Sequence, residues 1–99
     1  MNFSEKVYHY CKKIPKGKVT TYKEIGKIMK TKAYRAIGTT LKNNPYAPEV
    51  PCHKVVRNNG DIGSYQSKFH NLKKSRLLGK EGIKVINNKI DLEKYLHKF

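Results

Sequence analysis

The chain has 99 residues, 22 of them Lys or Arg and 7 Asp or Glu, for a formal net charge of +15, and 37% are hydrophobic. That is apolar material for one modest core, so residues 1–99 are expected to form a single domain. No run approaches the roughly 18–20 apolar residues of a membrane span, residues 1–6 carry no apolar leader, and two cysteines are too few for a disulfide scaffold, so a reducing, cytoplasmic setting away from membranes is expected.

A charge of this size on a short chain repels itself and calls for a polyanionic partner. A lysine-rich proteome is the bland explanation, since 19 of the 22 basic residues are lysine. The distribution argues for more. Ten basic residues and the single acid Glu24 lie between Lys12 and Lys42, in a stretch that reads as two compact helices rather than as a membrane-surface helix. Nucleic acid is the favoured partner.

In residues 3–14, Phe3, Val7, Tyr10, Cys11 and Ile14 fall on one helical stripe, with Ser4 placed to cap it and Pro15 and Gly17 to end it. Cys11 lies on that stripe and reads as a buried, inert thiol. Thr21, followed three residues later by Glu24, has the pattern of a capping box. It opens a second helix with Ile25, Ile28 and Met29 on its inner face. After a break at Thr31-Lys32 a third helix is expected over about residues 33–43, with Ala33, Ile37 and Leu41 inward. Two short helices and a tight turn in a basic stretch suggest a helix-turn-helix. Gly38, Thr39 and Thr40 are poor helix formers in mid-helix, which points to close approach of a neighbouring helix or of a nucleic-acid backbone.

Pro45, Pro48 and Pro51 stiffen the next segment into an extended loop. It delivers Cys52-His53 and then a β-like run, Lys54-Val55-Val56. Asn58-Asn59-Gly60 signals a turn. Leu72, Leu77 and Leu78 mark a fourth helix, residues 83–86 a strand, and Asp91 a cap for a last helix carrying Leu92, Tyr95, Leu96 and Phe99. The expected fold is mainly α with a small β element.

A thiol beside a histidine in a cationic chain has the makings of an activated nucleophile, although a bare Cys-His pair is more often structural. Adjacent side chains usually point apart, so His53 needs a water or a backbone bend to reach the Cys52 proton. Glu81 is the carboxylate available to orient it. The scattered histidines and cysteines show no metal-ligand spacing, so no metal and no cofactor are expected.

Pro51-Cys52-His53-Lys54-Val55-Val56 resembles the active-site signature of the O6-alkylguanine-DNA alkyltransferases, with Lys54 where arginine is usual. Thr20-Thr21-Tyr22, Ala33-Tyr34-Arg35-Ala36-Ile37-Gly38, Asn44-Pro45, Gly63-Ser64-Tyr65 and Glu81-Gly82 resemble the family's other landmarks in order. The motif region covers about residues 3–83, leaving 84–99 as a C-terminal extension. The resemblance implies a winged-helix-like helix-turn-helix domain of the alkyltransferase C-terminal type, acting as a monomer on double-stranded DNA that carries O6-alkylguanine, with O4-alkylthymine as the related alternative. Cys52 would accept the alkyl group irreversibly, His53 and Glu81 would keep the sulfur anionic, Tyr22 would donate to purine N3, and Asn44 would hold the turn beneath. Tyr34, Arg35, Ala36, Gly38, Thr39 and Lys42 would contact DNA, Arg35 filling the gap left by the extruded base. Val55, Tyr65, Gln66 and Ala47 would shape the base pocket. Gln66-Ser67-Lys68-Phe69 departs from the family's small loop, and Ala47 replaces a proline of some relatives. The alternative reading is a non-catalytic, alkyltransferase-like lesion-binding protein.

Overall fold

The computed structural model describes residues 1–46, 49–62 and 74–99. Its elements are α1 (Phe3–Lys12), β1 (Thr20–Thr21), α2 (Tyr22–Met29), α3 (Tyr34–Lys42), a 3-10 turn (Cys52–Lys54), β2 (Val55–Val56), α4 (Lys74–Lys80) and α5 (Leu92–Tyr95). None of the described helices is long and apolar enough to cross a membrane.

Local chemistry sets most boundaries. The α1 cap is Asn2, whose side chain accepts from Glu5 N at 2.8 Å; Ser4, expected in that role, lies inside the helix, which stops at Lys12. Thr21 caps α2 as expected, its Oγ1 accepting from Glu24 N at 3.2 Å. Lys30 ends that helix in the left-handed conformation, φ 56°. Ala33 precedes α3 as an exposed cap without a side-chain bond, so it does not face inward, and Ile28 is 37% exposed, leaving Ile25 with half-buried Met29 on the inner side of α2.

β1 and β2 pair in parallel, Thr20 opposite Val55 and Thr21 opposite Val56. Successive strand residues point to opposite faces. Val55 accordingly joins a cluster with Val7, Cys11, Ile14, Ile25, Ile37, Leu41, Val50 and Cys52, while Val56 joins a second with Val19, Ile62, Leu78, Ile83, Ile90 and Tyr95. The single expected core is thus two apolar layers with the short sheet as septum. Lys54, expected in the β-like run, belongs to the 3-10 turn instead.

The last residues are stitched to the edge of β1. Val19 N donates to Tyr95 O at 2.8 Å, His97 N to Val19 O at 2.7 Å, and Thr20 Oγ1 to His97 O at 3.0 Å. The strand expected over residues 83–86 does not form. Only Ile86 bridges, to Lys89, around Asn87 and Asn88 at φ 51° and 63°. Two consecutive left-handed asparagines make a tight hairpin, which is why the chain reverses instead of extending. The expected turn at residues 58–60 does form. Gly60 sits at φ 87°, pressed against the Ile90 carbonyl, where any Cβ would collide.

Candidate functional site

Cys52, His53 and Lys54 occupy three consecutive positions of the 3-10 turn, and all three are buried. The turn is held from its own backbone: Cys52 N donates to Val50 O at 2.8 Å, Lys54 N to Pro51 O at 2.9 Å, and Val55 N to Cys52 O. Asn44 braces it from outside. Its side chain is 1% exposed, donates to Val50 O at 2.8 Å and accepts from Tyr46 N at 2.9 Å. A buried amide satisfied on both ends fixes a turn because either broken bond strands a polar group.

Glu81 reaches this turn from beyond the end of α4. Its Oε2 stands 3.6 Å from His53 Nε2, an ion-pair distance, and its Oε1 accepts from Lys54 Nζ at 2.8 Å and from Gly17 N at 3.1 Å. These donors hold the Glu81 carboxyl below the usual carboxylate range, against the desolvation that would raise it. Lys54 Nζ also donates to the Ile14 and Pro15 carbonyls at 3.3 and 2.7 Å, which closes the end of α1 onto the turn. Burial pushes His53 down to about 4, with Glu81 opposing and Lys54 and Lys74 reinforcing. The imidazole is therefore neutral at pH 7. With Nε2 directed at the carboxylate, Nδ1 is the nitrogen left to accept a proton.

The Cys52 side of the site is buried. Cys52 is 4% exposed and Cys11, in the same cluster, fully buried; burial, then the neighbouring Cys52, pushes the Cys11 thiol up to about 12, as befits an inert thiol. Tyr22, the first residue of α2, packs against this cluster, and its phenol is raised chiefly by burial, with Arg57 pulling it back. It is thus a protonated donor at neutral pH. Lys74, at the start of α4, is 5% exposed and donates to Val55 O at 2.7 Å. Burial lowers its ammonium to about 8, against the attraction of Cys52.

Tyr22 also lines an open cavity of about 600 Å³, together with Tyr34, Arg35, Gly38, Thr39 and Lys42 of α3 and Arg57 and Asn58 beyond β2. Five of the six residues expected to touch DNA therefore share one concave surface. Ala36 is exposed on α3 but does not line it. Cys52 does not line it either, so Tyr22 is what connects the cavity to the cluster that holds the thiol. Ala47, Tyr65 and Gln66 lie outside the described residues.

Sequence reasoning missed Lys74, Arg57 and the anchoring of Lys54. A lysine beside a leucine pair in an amphipathic helix carries no sign of burial. Arg57, just after the Val-Val strand and before a turn, carried a usable one, because that position is bound to sit at the mouth of whatever the strand supports.

A model of the 6-O-methylguanine DNA methyltransferase DNA-binding domain matches residues 2–83. The chain is 39% identical over 94 residues to a methylated-DNA--protein-cysteine methyltransferase of Candida glabrata, covering 94% of this chain and 44% of that one. It is 43% identical over 84 residues to the protein of the same name from Thermococcus sibiricus, covering 84% and 46%. It thus spans less than half the length of these curated relatives. Among solved structures, S. pombe Atl1 in complex with damaged DNA containing O6-carboxymethylguanine superposes with a TM-score of 0.85 at 28% identity, over 98% of this chain and 95% of that one. The Mycobacterium tuberculosis OGT in complex with DNA gives 0.70 at 33% identity, over 82% and 50%. These neighbours are alkyltransferase domains of helix-turn-helix fold, the fold expected of this chain.

Proposed function

The chain belongs to the 6-O-methylguanine DNA methyltransferase family, and from that premise we propose that it repairs DNA by transferring the alkyl group of O6-alkylguanine in a duplex once, irreversibly, to Cys52. The observation that carries the reading is the position of Tyr22, which lines the cavity together with residues of α3 and packs against the cluster that holds Cys52. A base swung out past α3 meets a hydrogen-bond donor and a nucleophile in that order.

Extrusion is required because the reacting carbon is unreachable in the stack. Arg35, exposed in the first turn of α3, takes the vacated space, and Gly38 and Thr39 keep that face low against the duplex. The Cys52 proton passes to His53, by way of a water, and Glu81 stabilises the resulting imidazolium. The sulfur attacks the alkyl carbon, forming the C–S bond as the C–O6 bond breaks, while Tyr22 donates to N3 so that guanine departs neutral. Tyr22, having given its proton to N3, is reprotonated from the His53 imidazolium through solvent, so that in sum the proton lost by the thiol is the one guanine gains. A thioether does not hydrolyse, so one molecule acts once.

Full-length protein incubated with an O6-methylguanine duplex and weighed intact is expected to gain one methyl group, and Cys52→Ser to gain none. A second reading is favoured by one observation: the superposition on Atl1 takes in 98% of the chain, whereas that on the M. tuberculosis protein takes in 82%. Non-catalytic members of the family exist. Tight binding of the lesion duplex with an unchanged mass would establish that reading instead.

A further inference from the structure

We propose that Arg57 is a phosphate clamp, gripping the backbone beside the extruded nucleotide from the cavity it shares with α3. The proposal rests on the DNA reading above and adds to it a contact from outside the helix-turn-helix.

The residues of α3 that line the cavity include the cations Arg35 and Lys42. Arg57 and Asn58 line the same cavity from a separate part of the chain, the turn that follows β2, so Tyr22 shares it with cations of two elements. An extruded nucleotide carries a phosphate on each side, and α3 and the Arg57 turn each offer a cation to one of them. Arg57 and Tyr22 line one cavity, and the charge at position 57 bears on the Tyr22 phenol.

The backbone beneath Arg57 is preorganised for the task. Arg57 N donates to Asp61 O at 3.1 Å, Gly60 N to Arg57 O at 2.9 Å, and Asp61 N to Asn59 Oδ1 at 3.0 Å. The tail locks this turn in place, with Ile90 N donating to Gly60 O at 2.9 Å and Ile62 N to Asn88 O at 3.0 Å. Residues 84–99 therefore hold up one wall of the cavity. Arg57 itself is exposed, and the carboxylate of Glu81 is engaged by Lys54, not by Arg57. A planar guanidinium suits bidentate capture of a phosphate, and the stiff turn beneath it fixes the point from which the side chain reaches.

The test uses the full chain and a duplex with one O6-methylguanine, with binding measured over a series of KCl concentrations. Arg57→Gln is expected to weaken binding by about tenfold and to lower the slope of log affinity against log salt by about 0.9, the signature of one phosphate lost. Arg57→Lys should restore the slope and part of the affinity. In a second arm each phosphate near the lesion is replaced in turn by a neutral methylphosphonate. At one position the wild type should weaken about tenfold while Arg57→Gln is indifferent, because the charge that position answers to is already gone. Equal sensitivity of both proteins at every position, or an unchanged salt slope, overturns the clamp. Wild type that does not bind the lesion duplex at all overturns the underlying DNA reading instead, and the two failures are distinct.

Discussion

Lys54 and Glu81, 27 residues apart in sequence, are joined by a 2.8 Å hydrogen-bonded ion pair in which the lysine side chain is 4% and the glutamate 21% exposed. The pair leaves the second carboxylate oxygen for His53, so one acid serves a structural cation and a candidate base together. Glu81→Gln keeps the shape and removes the charge, stranding a buried ammonium. The expected cost is about 2 kcal/mol, less than the ~3–5 of a fully buried pair because Glu81 keeps partial access to water. Thermal unfolding should drop by roughly 10 °C. Alkyl transfer, assayed well below that temperature, should slow by more than about tenfold, as the imidazole loses its orienting partner. An unchanged transfer rate with a lowered Tm would reduce Glu81 to a structural role.

The pH dependence of stability follows from the same two groups. His53 has a native value of about 4 against an ordinary 6.5. Above 6.5 both folded and unfolded forms are neutral, and the full stability is present. Between 6.5 and about 4 the unfolded chain takes up a proton that the folded one refuses, so stability falls, by roughly 3 kcal/mol at most. Glu81, held below the carboxylate range, adds loss in the same direction at lower pH, when the Lys54 pair is protonated away. Chemical denaturation from pH 8 down to pH 4 should therefore show stability declining from about pH 6.5. His53→Asn should flatten the upper part of that decline. A flat profile in the wild type would mean that the imidazole is solvated in the native state.

The helix-turn-helix was legible because its signals are local. Thr21 and Glu24 mark a cap, Ile25, Ile37 and Leu41 mark buried faces, and no distant partner is needed to interpret them. The Cys52-His53 pair was legible as a motif because it is contiguous, but the extended loop expected before it turns instead, Val50 N donating to Tyr46 O at 3.0 Å, and the pair itself lies in a 3-10 turn. What could not be read is what depends on tertiary pairing. Asn2 competes with Ser4 for the α1 cap on nearly equal terms, and only the folded geometry selects it. Lys54 anchors the end of α1 through the Ile14 and Pro15 carbonyls, 40 and 39 residues away. The tail lies outside the motif region, yet its hydrogen bonds to Val19 and Gly60 brace both β1 and the Arg57 turn.

Tyr22 is the sharpest test of chemistry against fold. Its phenol is raised above its ordinary 10, mainly by burial, so it stays protonated across the physiological range and needs no neighbouring acid. Tyr22→Phe keeps the ring that packs on the Cys52 cluster and removes only the hydroxyl. The expected result is alkyl transfer slowed by about a hundredfold, with lesion-duplex affinity and Tm little changed. A transfer rate equal to that of wild type would remove Tyr22 from the reaction and leave it as a packing residue.

Gly26 and Gly38 sit in neighbouring helices and should respond oppositely to a methyl group. A Cβ on Gly26 would meet the Tyr34 ring and come within 2.8 Å of the Thr31 carbonyl. The half-exposed Tyr34 ring can swing aside, but the Thr31 carbonyl is backbone and has to shift with the turn before α3, so Gly26→Ala should cost about 1–3 kcal/mol. A Cβ on Gly38 meets only Tyr22 Cε1, at an ordinary 3.8 Å. Relief of glycine's conformational penalty in mid-helix should then raise stability by up to about 1 kcal/mol. That same methyl would stand on the cavity face of α3, where a duplex backbone has to come close. Gly38→Ala should therefore unfold at a higher temperature than wild type while binding lesion duplex about tenfold more weakly, a loss the size of about one good contact. Unimpaired binding by a more stable Gly38→Ala protein would show that this face of α3 does not meet DNA, and with it the placement of the duplex over the cavity would fail.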